Sequence, residues 1–449
     1  MTPLLDVVVH AHRAVIDGAV RPASVGVVGG VITVIDPEPG AYLWRREVTL
    51  PDGAALLPGL VDTHVHINDP GTDWEGFASA TAAAAAGGIT TVVDMPLDSE
   101  PVTTSVAALD LKRAAAQSQC RIDVGFWGGV VPGNVGTAGV LAEMVAAGCM
   151  GFKCFLSDSG NPKFPPLSAG QFGRAMELVA ELDTVMLVHA ESDAVLAASA
   201  AAEGSSYLAF LNSRPDAAEV QAVQLVIDTV RRTGGRAHIV HVSSAGSLPL
   251  IADAKLEGLP VTAETCPHYL TFDADEIPDG GTEFAACPPI RRGANREHLW
   301  SALGDGVLEM IVSDHSPCAP QHKGDGDFGV AFGGISSLQL GLRAVWTGAQ
   351  ARGLGLVEVC RWMAERPAAL AGLTDRGRIA VGAAADFVVF DPYLRSVVDA
   401  AQLYHRHPVT PYAGMELSGA VLQTWLAGEA VDLVGGAGRG RLLGSAVSV

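Results

Sequence analysis

The sequence predicts an α/β protein: a parallel (β/α)8 barrel of the TIM-like kind, with a small β-sandwich domain assembled from the two ends of the chain. Three observations predict it. From Leu57 onward, apolar strand-like runs alternate with Ala-rich helical stretches eight times in succession, and such a series means a parallel barrel before anything else. The segments before and after it are strand-rich and helix-poor. No Gly-x-Gly-x-x-Gly opens the first unit, which weighs against a doubly wound open sheet. At 449 residues the chain exceeds one ordinary core and suits a barrel with a satellite domain.

Taken in order, residues 1–55 form the N-terminal part of the sandwich, with strands at 6–9, 24–28 and 31–35 and Gly29-Gly30 as a hairpin turn. Residues 56–370 form the barrel. Its strand cores fall near 57–65, 89–95, 121–127, 149–155, 184–189, 237–242, 259–265 and 309–313. Helices follow at 75–86, 106–117, 139–147, 169–182, 217–232, 247–256, 295–303 and 335–351. Residues 371–449 return to β character at 377–382, 386–391 and 421–426, and a Gly-rich tail, 435–444, is expected to be mobile. Neither end has enough apolar surface to fold alone, so the two are expected to pair.

Composition excludes several classes of partner. The net charge of −20, from 29 basic against 49 acidic residues, argues against nucleic acid and against an anionic membrane surface, which both need a basic face. No charged-then-apolar leader opens the chain, and the Ala-rich run 78–88 is too short to span a bilayer. The expectation is a cytoplasmic protein. Its seven cysteines are odd in number and form no Cys-x-x-Cys, as expected for reduced core residues, although Cys154, Cys266 and Cys318 stand beside candidate functional positions.

In a parallel barrel the chemistry sits at the C-terminal ends of the strands. Strand one ends in His64-Val65-His66, and alternation along a strand puts both imidazoles on one face. Strand four carries Lys153 inside an apolar run, strand five ends in His189, strand six in His241, and strand eight in Asp314-His315. His238 is expected on the face opposite His241, as a structural residue. A lone His-x-His is easily a chance pair of core histidines, whereas four histidines, a lysine and an aspartate converging on one barrel mouth are not. They exceed what one tetrahedral zinc uses, so two divalent metal ions are inferred. An ammonium cannot ligate a cation, and Lys153 reads first as a partner for Asp314 or for an anionic substrate.

The set His64, His66, Lys153, His189, His241 and Asp314 resembles that of the cyclic amidohydrolases, the family of dihydroorotases, dihydropyrimidinases or hydantoinases, and allantoinases. Within the family the sequence is most similar to the allantoinase group. The resemblance runs through Gly59-Leu60-Val61-Asp62-Thr63-His64-Val65-His66-Ile67-Asn68, Trp74-Glu75-Gly76, Asp94-Met95-Pro96-Leu97, Gly151-Phe152-Lys153-Cys154-Phe155, Glu264-Thr265-Cys266-Pro267-His268-Tyr269 and Ser313-Asp314-His315-Ser316-Pro317-Cys318. It implies that Lys153 is carboxylated and bridges two metal ions, taken as zinc, with His64, His66 and Asp314 on one and His189 and His241 on the other. It further implies a metal-bridging hydroxide as nucleophile, Asp314 as catalytic proton shuttle, and substrate contacts from Cys287, Ser316 and Gly334. Its substrate is then a cyclic amide, allantoin, opened to allantoate in purine breakdown by a homotetramer.

Other rings stay open as alternatives, hydantoin and dihydropyrimidine among them, as does a non-catalytic scaffold. The family's dihydroorotases carry an arginine where this chain has Asn68, and its hydantoinases a tyrosine where this chain has Asp158, unless Tyr207 or Tyr269 takes that place. Allantoinases usually have an arginine after the Pro-Gly that is here Pro70-Gly71, and a Lys-Cys pair where this chain has Ala286-Cys287.

Overall fold

The computed structural model describes residues 2–137, 139–435 and 438–444. Before the barrel run β1 (Leu4–Ile16), β2 (Ala19–Val28), β3 (Val31–Ile35), β4 (Leu43–Thr49) and β5 (Ala55–Pro58). The barrel strands are β6 (Leu60–Val65), β7 (Ile89–Asp94), β8 (Asp123–Phe126) with its short continuation β9 (Gly128–Gly129), β10 (Phe152–Phe155), β11 (Val185–His189), β12 (Arg236–Ile239), β13 (Val261–Thr265) and β14 (Met310–Ile311). After it come β15 (Phe387–Val397), β16 (Glu416–Leu426) and β17 (Glu429–Ala430).

Each barrel strand pairs in parallel with the next, β6-β7-β8 and then β9-β10-β11-β12-β13-β14, and the ring closes where Val65 bridges His315. Nearly every residue of these strands is buried, since helices cover the outside and side chains fill the inside. Ala-rich helices suit that shell because small faces let a helix lie close to the sheet. Phe77–Ala86 is one, and Ala169–Glu181 begins with a capping box in which Ser168 accepts from the Gln171 N–H.

The two ends of the chain meet in one sheet, ordered β17-β16-β15-β5-β1-β2-β3 with β4 on β1. Val7, Val9, Val25 and Val27 from one end share a core with Phe387, Val389 and Trp425 from the other, as expected. The first barrel strand begins later than its apolar run suggests. Residues 55–58 pair antiparallel with Phe387–Phe390, and the chain enters the barrel only after Gly59, whose N–H bonds the Asp386 carbonyl. A side chain at Gly59 would collide with Thr90 and Asp386. Residues 377–382 form turns rather than a strand, with Ile379 still in the core, and the last barrel helix starts at Gly341 instead of 335.

The tail differs from expectation in its described part. Gly440 N–H donates to Cys120 O and Leu443 N–H to Val124 O, while Val124 N–H donates to Arg441 O. Residues 438–444 thus lie as an extra parallel segment along the edge that β8 leaves open toward β10, where those strands have diverged. Arg441 reaches the fully buried Asp123, which Arg376 also binds at 2.9 Å. Residues 436–437 fall outside the described residues.

Candidate active site

Every strand end singled out above opens on one cavity of about 660 Å³, lined by His64, His66, Lys153, His189, His241 and Asp314 among others, a size suited to a small molecule. The structure brings all six together. Buried carboxylates orient two of the four imidazoles.

His64, fully buried on β6, sets its Nδ1 2.5 Å from Glu264 of β13. Glu264 is held ionised, at about 2: burial opposes this, and His64 and His238 outweigh it. It therefore accepts the Nδ1 proton and turns Nε2 toward Asp314. That atom has no hydrogen-bond partner and stands 3.1 Å from Asp314 Oδ1. His66 donates its Nδ1–H to the Leu97 carbonyl at 2.9 Å and points Nε2 at the same oxygen, 3.6 Å away. Burial opposes charge on His64, but Asp314 and Glu264 outweigh it and raise the imidazole to about 9, so this point favours positive charge, and a metal ion would take the place of the Nε2 proton. The donor atoms of His64, His66 and Asp314 all lie within 4.8 Å of one another, as one metal ion requires.

His189 donates Nε2–H to Glu191 at 2.8 Å, and Glu191 is clamped by Arg214. Its Nδ1 is the nitrogen left for a ligand. His241 stands with its ring centroid 4.6 Å from that of His189 and 5.4 Å from that of His64. The backbone at both His241 and Asp314 is left-handed, at φ 39° and 44°, where few residues other than glycine, asparagine and aspartate rest without strain. Each sits just past a strand end, turned so that its side chain points into the mouth.

Lys153 sits on β10 at 1% exposure, its Nζ 5.0 Å from the centre of the Phe155 ring. It does not pair with Asp314, whose carboxylate faces the histidines instead. Burial pulls its ammonium down to about 8, so a substantial neutral fraction exists near neutral pH. Ser316 donates to Asp314 Oδ1 at 3.0 Å and Asp62 ties His64 N–H to Ser313 N–H, locking strand one to strand eight.

The structure corrects the sequence reading of His238 and locates the other residues singled out. His238 does not face away from the site: it donates Nε2–H to Glu264 at 2.9 Å and so supports His64 from within the barrel. The turn at His241 breaks the alternation from which the opposite face was inferred. Tyr207 and Tyr269 do not reach the cavity, because their hydroxyls donate to the Ile290 and Pro288 carbonyls. His315 stands apart from the metal cluster, with Nε2 on Glu75. Cys287 and Ser316 line the cavity, whereas on the neighbouring loop Ala331, Phe332 and Gly333 do so and Gly334 lies just beyond, its carbonyl taken by Lys323. Glu264 stood in a quoted motif without a role, and Glu191 went unnoticed in the sequence. The signal was present in both: a carboxylate inside a barrel strand, and one two residues past a ligand histidine.

Comparison with known proteins agrees with this geometry. The model of the Amidohydrolase family matches residues 55–431. An allantoinase of Streptomyces avermitilis is 48% identical over 436 residues, covering 95% of each chain, and one of Saccharomyces cerevisiae 42% identical over 441 residues, covering 94% of each. Among solved structures, the L-hydantoinase of Arthrobacter aurescens superposes with a TM-score of 0.92 at 29% identity over 98% of this chain and 100% of that one. The dihydropyrimidinase of Brevibacillus agri gives 0.87 at 27%, over 98% of each.

Proposed function

The chain belongs to the amidohydrolase family, and from that premise we propose that it is an allantoinase, hydrolysing the cyclic amide bond of allantoin to allantoate. The observation that carries the hydrolytic chemistry is the trio His64, His66 and Asp314 gathered around one point, with Lys153, His189 and His241 on the same cavity. What supports the substrate is identity of 42–48% with allantoinases along nearly the whole chain, against 27–29% with the hydantoin and dihydropyrimidine enzymes that share its fold.

In this reading His64, His66 and Asp314 would hold one divalent ion and His189 and His241 a second, both taken as zinc, with Lys153, as a carbamate, serving as a further ligand. The neutral amine of Lys153 adds to carbon dioxide and releases a proton, which turns a buried cation into an anionic ligand. Bound there, two such ions supply a water acidified toward about 7 and a polarised ring carbonyl. Asp314, steadied by Ser316, takes the proton of the attacking water and delivers it to the departing ring nitrogen. Glu264 and Glu191 keep His64 and His189 in the tautomers that present a lone pair. The backbone at Cys287 and Ser316 meets the polar edge of the ring, with residues 331–333 of the neighbouring loop beside it. Cytoplasmic location and a homotetramer complete the proposal, and sedimentation of the purified protein checks the latter.

The test is ring opening by metal-replete protein, with allantoin, hydantoin, dihydrouracil and dihydroorotate in parallel and Asp314→Asn as control. Allantoin is expected to be opened and the variant to be inactive. Turnover of hydantoin or dihydrouracil in its place, which the 0.92 superposition favours as the second reading, keeps the mechanism and removes the substrate.

A further inference from the structure

Resting on allantoin as the substrate, we infer that Asn68, together with Asp98 and Asn161, forms the subsite that reads the ureido group on the ring and so decides which ring is opened. The carbonyl attacked in that reaction is bonded to the ring carbon bearing the ureido group. Whatever reads the group must stand beside the metal-ligand cluster, and Asn68 follows His66 by two residues on the cavity wall.

The amide of Asn68 is fixed in orientation. Its Oδ1 accepts the Asp98 backbone N–H at 3.1 Å and its Nδ2 donates to the Pro317 carbonyl at 3.2 Å, partners that distinguish the two ends. A carboxamide has two N–H donors and two acceptor lone pairs, so the protein uses one of each. Asn68 is 1% exposed and lines the cavity, which is where a ligand would meet the second donor and acceptor. Asp98 is similarly half-used: Oδ1 accepts from Asn161 Nδ2 at 2.8 Å, and Oδ2 has no hydrogen bond among the described residues. The three side chains come from the loops after β6, β7 and β10, and all line the cavity.

A ureido group is the planar, neutral complement of this set. Its paired N–H groups fit one carboxylate, and its carbonyl accepts from an amide N–H. An alkyl substituent would leave the Asn68 amide and the Asp98 carboxylate unmatched, and an anionic one would face Asp98 with like charge, so the geometry selects neutral ureido or amide substituents.

Two variants test this. Asn68→Asp keeps the residue type that tolerates the left-handed backbone there, φ 59°, and keeps the acceptor for Asp98 N–H, but removes the donor. Asn161→Ala releases Asp98 without touching the strand that bears the metal ligands. The readout is the ratio of kcat/KM for allantoin to that for hydantoin, which lacks the ureido group; where hydantoin is not opened, its inhibition constant against allantoin takes its place. Bound metal is measured in parallel. The ratio is expected to fall about 10- to 100-fold in Asn68→Asp and about 3- to 10-fold in Asn161→Ala, with wild-type metal content. A ratio unchanged in both, or metal loss accounting for the whole effect, overturns the subsite and leaves the allantoinase reading standing. Wild-type protein that does not open allantoin overturns both.

Discussion

A lysine buried on a barrel strand with no salt-bridge partner among the described residues is a liability unless its charge is removed, and Lys153 is such a residue. The proposed carbamate would resolve the conflict. Protein prepared in ¹³C-labelled bicarbonate is expected to show one carbamate carbon signal that Lys153→Ala lacks, and the variant to lose bound metal and at least about a thousandfold in activity. A labelled protein without that signal rules the modification out. Lys153 was legible in the sequence because a charge interrupts an apolar run; Glu264 stands between an alanine and a threonine, and only its contact with His64 gave it meaning. Asp386 poses the opposite problem. Burial raises its carboxyl to about 6 and one of its oxygens has no partner. A carboxyl raised in the folded state stabilises fully below its unfolded value, near 4, and that contribution is lost as pH rises through about 6. Asp386→Asn is therefore expected to gain on the wild type by up to roughly 3 kcal/mol at pH 8 and by little at pH 4, read from thermal unfolding at both.

At the scale of elements, β13 matters through one side chain. Glu264 is fully buried and accepts from His64 of β6 and His238 of β12, so the angle of His64 depends on a strand to which β6 is not paired. Glu264→Gln retains the shape and removes the charge. Metal affinity is expected to drop about 10- to 100-fold, measured by chelator competition, with the fold retained by circular dichroism. The elements themselves were mostly readable, since runs buried on both faces and Ala-rich helices announce a barrel. What escaped the sequence were the places where local pattern and tertiary partner disagree: residues 55–58, apolar enough for either sheet and claimed by β15, and residues 377–382, whose alternation ends in turns. The orientation of His238 escaped for the same reason, hidden by a left-handed turn that no periodicity records.

For the whole molecule, the described tail acts as a strap along β8, and its glycines are there because backbone meets backbone. A side chain at Gly440 would run into the Ile122 carbonyl. Gly440→Val is expected to lift the strap, lowering the unfolding midpoint and raising amide exchange at Val124 and Leu443 first, while exchange in β11 and β12 stays slow. Uniform exchange across the barrel would show that the strap carries no separate stability. The pairing of Ala55–Pro58 with Phe387–Phe390 has a consequence in time. The strand that ends in His64 and His66 is anchored, through Gly59, to residues more than three hundred positions later. Contacts of such separation form late. A chain emerging from the ribosome holds all six candidate ligands outside the exit tunnel well before it holds the anchor that sets their register, so assembly of the metal centre is among the last events of its biogenesis.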